Sequence, residues 1–234
     1  MKTSNSPKAI LFDAGGTLIH LDGDRICRAA GVPHAAGRFA HAASDAAATL
    51  VAWIARNPAS TDADRVPFFL GEILRGLELG EDSARQAAAI AVAAEHARSN
   101  LWSRPGEGAA ETLAALQDRG YRVAVVSNAD GRVRALLESA GLMPFLELVV
   151  DSFEVGFEKP DPRIFLAATD RLGVPPAECV YVGDIYSIDV LGARGAGMRA
   201  ILIGTGAAEG PVERVHTLPE LLTRFPGREN AGSR

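Results

Sequence analysis

Four short segments concentrate the residue types that handle charge. Asp13-Ala14-Gly15-Gly16-Thr17-Leu18 sets a carboxylate ahead of two glycines and a hydroxyl. Ser127-Asn128 offers a hydroxyl and an amide. Lys159-Pro160-Asp161-Pro162 offers an ammonium. Gly183-Asp184, followed by Asp189, offers two further carboxylates. Each segment alone has a plain structural reading. An Asp after a strand commonly caps a helix, a Lys is usually solvated, and Ser-Asn after a strand is a common turn. Their position sets them apart, because each comes after an apolar run that reads as a strand. Carboxylates, an ammonium and hydroxyls therefore collect at one edge of one sheet.

The elements that must deliver them follow from hydrophobic periodicity. Segment 8–13 (KAILFD) reads as a buried strand ended by a glycine-rich turn. Segments 121–126 (YRVAVV), 145–150 (FLELVV), 179–182 (CVYV) and 199–203 (RAILI) read as further strands. Helices are expected over 107–119, 131–140, 162–172 and 188–196. Strands alternating with helices imply a parallel sheet covered on both faces, joined by right-handed crossovers. Between residues 22 and 103 no strand is expected. That stretch is alanine-rich with apolar residues at helical spacing, and Asn57-Pro58 and Val66-Pro67 punctuate it. The expected fold is α/β: a three-layer, Rossmann-like parallel-sheet core over 1–20 and 104–234, with an inserted all-helical domain over 21–103. In such sheets ligands bind beyond the carboxyl ends of the strands, at the topological switch. The polar tail, PGRENAGSR, is expected to fray.

Composition narrows the class. The chain has 234 residues, of which 47% are hydrophobic and 23% charged, values that suit a packed globular core. A net charge of -5 leaves no basic footprint, so nucleic acid is not an expected partner. The two cysteines, Cys27 and Cys179, follow no metal-ligand or redox spacing. They are expected as buried, reduced thiols, which suits a reducing compartment. The N-terminal segment lacks the apolar run of a signal peptide, and no segment reads as a membrane span. A cytoplasmic protein without a membrane partner is the expectation. Monomer and homodimer both stay open.

In their order, FDAGGTL, VVSNAD, EKPDPRIF and VGDIYSIDVLGARGAGM resemble the four motifs of the haloacid dehalogenase (HAD) superfamily. The resemblance covers nearly the whole chain outside the helical insertion. The insertion itself is similar to the mobile cap of the first cap class, which closes over the site. The resemblance implies that Asp13 is a carboxylate nucleophile, dividing one hard displacement into two easier ones through an aspartyl-phosphate. It implies that Gly15, Gly16 and Thr17 turn backbone N–H groups toward a bound anion. Ser127 would donate its hydroxyl to a phosphate oxygen beside the N–H of Asn128, and Lys159 would neutralise Asp13 and the transferring group. Magnesium, which prefers oxygen ligands and keeps several waters, would be held by Asp13, Asp184 and the main-chain carbonyl of Gly15. Asp189 would support the site or touch a metal-bound water. The implied substrate is a small phosphorylated metabolite.

One position departs from the phosphatase form of the first motif. That form carries a second Asp two places after the nucleophile, acting as general acid and base, whereas this chain has Gly15. Proton transfer by a placed side chain contributes about 10²–10⁴-fold. Three readings compete. The first is a phosphatase with a substitute acid, for which His20, Asp22 and Asp24 at the junction and His34, Arg25, Arg38 and His41 in the insertion are candidates. The second is a 2-haloacid dehalogenase-like hydrolase, whose halide leaves without a proton. Members of that kind usually lack the acidic metal site retained here. The third is a non-catalytic member that binds a phosphorylated ligand or a protein. Carbon–phosphorus hydrolases of the superfamily use a cap lysine, but the lysines here are Lys2, Lys8 and Lys159, none in the insertion.

Overall fold

The computed structural model describes residues 6–227 other than 207 and 209. In chain order, strand β1 (Ala9–Phe12) is followed by β2 (Ile19–Leu21) and by four helices, α1 (Gly23–Ala29), α2 (Ala36–Arg56), α3 (Asp62–Gly76) and α4 (Asp82–Arg98). Next come β3 (Trp102–Pro105), α5 (Ala109–Asp118), β4 (Arg122–Ser127), α6 (Val133–Ser139), β5 (Leu148–Asp151), α7 (Ser152–Val155) and α8 (Pro162–Leu172). The chain ends with β6 (Cys179–Gly183), α9 (Leu191–Gly195), β7 (Arg199–Ile203), β8 (Glu213–Val215) and α10 (Leu221–Arg224). The chain divides into two compact units, Leu21–Arg104 and the described residues before and after it. The stretches that pass between the units, β2 and β3, pair as a two-stranded ribbon.

The larger unit is built on a parallel six-stranded sheet in the order β5-β4-β1-β6-β7-β8. Every residue of β1 is buried, as the central strand of a sheet covered on both faces requires. Leu11 lies between Ala124 of β4 and Tyr181 of β6. After β1 the chain builds outward through β4 and β5, then returns to the other side of β1 with β6. The switch therefore lies between β1 and β6, and Asp13 and Asp184 follow these two strands.

Helix α8 shows how local chemistry sets an element's ends. The Asp161 side chain accepts the Arg163 N–H at 2.9 Å, Pro162 opens the first turn, and Gly173 closes the helix in a left-handed conformation. Its buried face is Ile164, Phe165, Ala168, Thr169 and Leu172. These bounds match the sequence expectation.

Other elements differ from it. The expected strand over 145–150 is delayed, because Pro144 sets a 3-10 turn over Met143–Phe145 and pairing begins at Leu148. The expected helix over 188–196 opens as a π-turn, Tyr186–Val190, before α9. Strands β2, β3 and β8 were not foreseen; each is only three or four residues long. The frayed tail expected beyond Phe225 lies, from 228 onward, outside the described residues.

The helical unit has its own core of Ile26, Cys27, Leu70, Ile73, Leu74, Leu77 and Leu101, with alanines of α2 and α4 around it. Helices α2 and α3 approach so closely that a Cβ on Gly76 would lie 2.9 Å from the Ala42 Cβ. Pro67 does not separate two helices as expected but sits inside α3. A reciprocal cap between Thr61 and Asp64 starts the helix upstream of Pro67, and burial of Leu70, Ile73 and Leu74 downstream outweighs the backbone bond Pro67 cannot donate. Both cysteines are free and buried. No described helix is long and apolar enough to cross a membrane.

Candidate active site

The Asp13 N–H donates to Val182 O at 2.8 Å, so the carboxylate stands where the β1 ladder ends. Lys159, in the loop before α8, reaches it. Its Nζ lies 2.6 Å from Asp13 Oδ1 and 2.7 Å from Asp189 Oδ1. A third bond, 3.0 Å to the Tyr181 hydroxyl, completes the ammonium's donor set. Burial works against the ammonium, but Asp13 and Asp189 outweigh it and hold the Lys159 pKa well above its ordinary value. Burial pushes Asp13 up to about 6, with Asp189 adding to the rise and Lys159 opposing it.

Asp184 completes the carboxylate cluster. Ligand oxygens of Asp13, Asp184 and Asp189 all lie within 4.8 Å of one another. Burial, then Asp189 and Asp13, raise the Asp184 pKa well above its ordinary value. Its Oδ1 is buried without a hydrogen-bond partner among the described residues. With all groups ionised, three carboxylates against one ammonium leave two negative charges. A hard divalent cation fits this donor set: it neutralises the excess charge and satisfies the orphaned oxygen.

Two glycines make room for these carboxylates. Gly16 has φ +84°, and a Cβ there would lie 2.4 Å from Asp184 Oδ2. A Cβ on Gly183 would lie 2.4 Å from the Asp189 Cγ. Asp189 can therefore fold back over the strand end, where its Oδ2 accepts the Ile185 N–H at 2.9 Å. That bond spans the first turn of the π-helical segment, a form often found at functional sites.

The residue profile of the haloacid dehalogenase-like hydrolases matches residues 7–197. The chain belongs to that family. Over 152 residues it is 38% identical to haloacid dehalogenase-like hydrolase domain-containing protein 3 of Bos taurus, across 61% of this chain and 60% of that protein. It is likewise 38% identical over 129 residues to glyceraldehyde 3-phosphate phosphatase of Methanopyrus kandleri, across 55% of each chain. The chain thus spans a little over half the length of these curated relatives. A solved dehalogenase superposes with a TM-score of 0.64 at 25% identity, covering 98% of this chain and 100% of that one.

Set within this HAD-family fold, the expected site residues divide into those in direct contact and those near by. Asp13 and Asp189 both accept from Lys159, and a carboxylate oxygen of Asp184 lies within 4.8 Å of theirs. Ser127 ends β4 and is buried, with its Oγ 3.3 Å from Asn128 O. Asn128 braces the lysine: its Oδ1 accepts the Lys159 N–H at 2.7 Å and its Nδ2 donates to Lys159 O at 3.1 Å. The expectation of three inward N–H groups is corrected for two of them. Gly16 N–H donates to Ile19 O at 2.8 Å and Thr17 N–H to Ala14 O at 3.3 Å, because the turn closes on itself. Gly15 forms an isolated bridge with Ile19, and the Thr17 hydroxyl is buried without a partner among the described residues.

Most substitute acids named from the sequence have structural tasks inside the helical unit. Asp22 caps α1 by accepting the Arg25 N–H at 3.0 Å, and Asp24 pairs with Arg104 at 3.2 Å. Arg25 binds Glu95, the carbonyls of Ser99 and Asn100, and the Ser103 hydroxyl. Arg38 pairs with Glu78 and His41 with Asp45. His34 and His20 are exposed.

Sequence reasoning missed three contributors. Tyr181 was read only as part of an apolar strand, although a tyrosine in a central strand signals a hydroxyl needing partners. Asp151 ends β5 and Ser152 follows it, at the same edge of the sheet as Asp13 after β1. Asp151 Oδ2 accepts the Gly131 N–H at 3.0 Å, and the Ser152 hydroxyl bonds both N–H and O of Ala129, at 3.0 and 3.1 Å. They pin the loop that carries Asn128.

Two outcomes are expected. Gly16→Ala should destabilise the protein by at least about 1 kcal/mol more than Gly141→Ala, measured by urea denaturation. Gly141 also has positive φ but open space around its Cα, so it isolates the backbone cost from the clash with Asp184. The raised carboxylate pKa values set a second outcome. A folded-state pKa raised to about 6 for Asp13 gives stability that is present below its ordinary 3.8 and lost as pH rises through about 6. A bound cation offsets that loss, so the magnesium-induced rise in Tm should be larger near about pH 7.5 than near about pH 5.

Proposed function

We propose that this HAD-family chain is a magnesium-dependent phosphohydrolase of small phosphorylated metabolites, acting through an aspartyl-phosphate on Asp13. The observation that carries this reading is the buried contact of Lys159 with Asp13 beside the orphaned oxygen of Asp184, all at the carboxyl end of the central strands. The phosphatase named among its relatives supports it.

Asp13, Asp184 and the Gly15 carbonyl would hold magnesium, with Asp189 behind them. When bound, the ion supplies Lewis-acid polarisation of a phosphoryl oxygen and charge neutralisation. The residues account for the remaining steps. Lys159 fixes one Asp13 oxygen, so the carboxylate is held in one orientation for attack on phosphorus. The P–O bond to the leaving alkoxide breaks as the Asp13 O–P bond forms. The ammonium and the Ser127 hydroxyl stabilise charge on the equatorial oxygens. Water then attacks the aspartyl-phosphate, releasing inorganic phosphate and restoring the carboxylate. Gly15 supplies no proton to the leaving oxygen, so substrates whose leaving group departs as a stable anion are favoured.

That same residue favours a second reading. A halide needs no proton, and hydrolysis of a 2-haloacid through an ester on Asp13 would use the same nucleophile. The cluster of three carboxylates, which would suit a cation, favours the phosphohydrolase over it.

Release of phosphate from p-nitrophenyl phosphate should require magnesium, stop with chelator, and fall at least about 10³-fold in Asp13→Asn. Magnesium-independent turnover, or unchanged turnover in that variant, would overturn the assignment. Gly15→Asp should raise kcat/KM on alkyl phosphates by about tenfold or more while changing aryl phosphates little. A folded variant with no such gain would show that a proton donor is already in place.

A further inference from the structure

We propose that Tyr181 is a positioning residue that aims the Lys159 ammonium at Asp13, an inference that rests on the reading of Asp13 as nucleophile. Tyr181 belongs to β6 and is fully buried. Its hydroxyl lies 3.0 Å from Lys159 Nζ and 2.8 Å from Val126 O. An ammonium has no lone pair to accept a proton, so the direction of this chain is settled: Lys159 donates to the phenol, and the phenol donates to Val126 O. Burial raises the Tyr181 pKa well above its ordinary value, which keeps that proton in place.

The three acceptors around Nζ are therefore two carboxylates and one neutral oxygen, and together they use all three N–H groups. Two acceptors alone would leave the ammonium free to swing about the line joining them. The third fixes its direction. Tyr181 is itself fixed, with its ring edge-on to Phe165 at 4.9 Å and 81°. The Nζ also stands over the ring, 5.5 Å from its centre, a contact that phenylalanine would keep, so Tyr181→Phe isolates the hydroxyl bond at 3.0 Å.

The hydroxyl also ties three charge-handling segments together. Val126 immediately precedes Ser127, Lys159 lies in the loop before α8, and Tyr181 stands two residues before Gly183. Phenylalanine would fill the same volume against Phe165. A hydroxyl at a fully buried strand position is a cost unless both of its bonding directions are met, as they are here.

Tyr181→Phe removes this link and keeps the packing. With magnesium and p-nitrophenyl phosphate, its kcat should fall roughly tenfold while KM stays within about twofold, because a misaimed ammonium is felt mostly in the transition state. A kcat within about twofold of wild type in the folded variant would overturn the proposal. An activity-free measurement runs in parallel, using urea unfolding of wild type, Tyr181→Phe, Lys159→Met and the double variant. Tyr181→Phe should shift the unfolding equilibrium at least roughly fivefold more with Lys159 present than with methionine there. Equal shifts would overturn the proposal. Should wild type release no phosphate, the phosphohydrolase reading fails and the unfolding cycle decides the role of Tyr181. Should Lys159→Met not fold, the kcat and KM comparison decides it.

Discussion

A buried ammonium between two buried carboxylates is the constraint around which the larger unit is arranged. Lys159 is 3% exposed, and a charge so far from water is tolerated only when its hydrogen bonds are made to opposite charge. Asp13 and Asp189 meet that need at 2.6 and 2.7 Å. The lysine's backbone is gripped by Asn128 and its head by Tyr181. The surroundings answer to this ion pair: Gly183 is bare so that Asp189 can fold back, and the turn after β6 widens to bring the Asp189 carboxylate within reach.

The parallel sheet explains why the partners come from distant parts of the sequence. Each strand releases its chain at the same edge, so residues following β1, β4, β5 and β6 converge without lying near one another in sequence. The reversal between β1 and β6 opens the crevice there, and Asp13 and Asp184 stand on its two sides. The third carboxylate gives the cluster more negative charge than Lys159 can offset. Burial, with that charge adding to it, raises the pKa values of Asp13 and Asp184, and Asp184 keeps a buried oxygen without a partner among the described residues; a hard cation would relieve both.

Glycine has two different uses near Asp13. Gly16 is required by geometry, since its positive φ and the 2.4 Å approach of Asp184 leave no space for a side chain. Gly15 carries a chemical consequence under the proposed mechanism instead: it takes the place at which the phosphatase form of the motif has a proton-transferring carboxylate. The neighbouring donors are otherwise engaged, Lys159 with three acceptors and Tyr181 with Val126 O.

Much of this protein was legible in its sequence because the informative signals are local. Apolar runs closed by glycine, aspartate or serine located five of the six strands of the main sheet, and Asp161-Pro162 with Gly173 set both ends of α8. The order of the four segments carried the family and pointed to Asp13, Lys159, Asp184 and Asp189, which the fold brings together. Tertiary structure alone decided which of these touch and how each amide and hydroxyl is used. Whether the Gly16 N–H faces a ligand or closes its own turn depends on where Ile19 O lies. That Asn128 braces a lysine and Tyr181 steers one depends on strands brought side by side from remote stretches of chain. Periodicity reports which face of an element is buried; it carries no record of the partner that a buried polar atom will meet there.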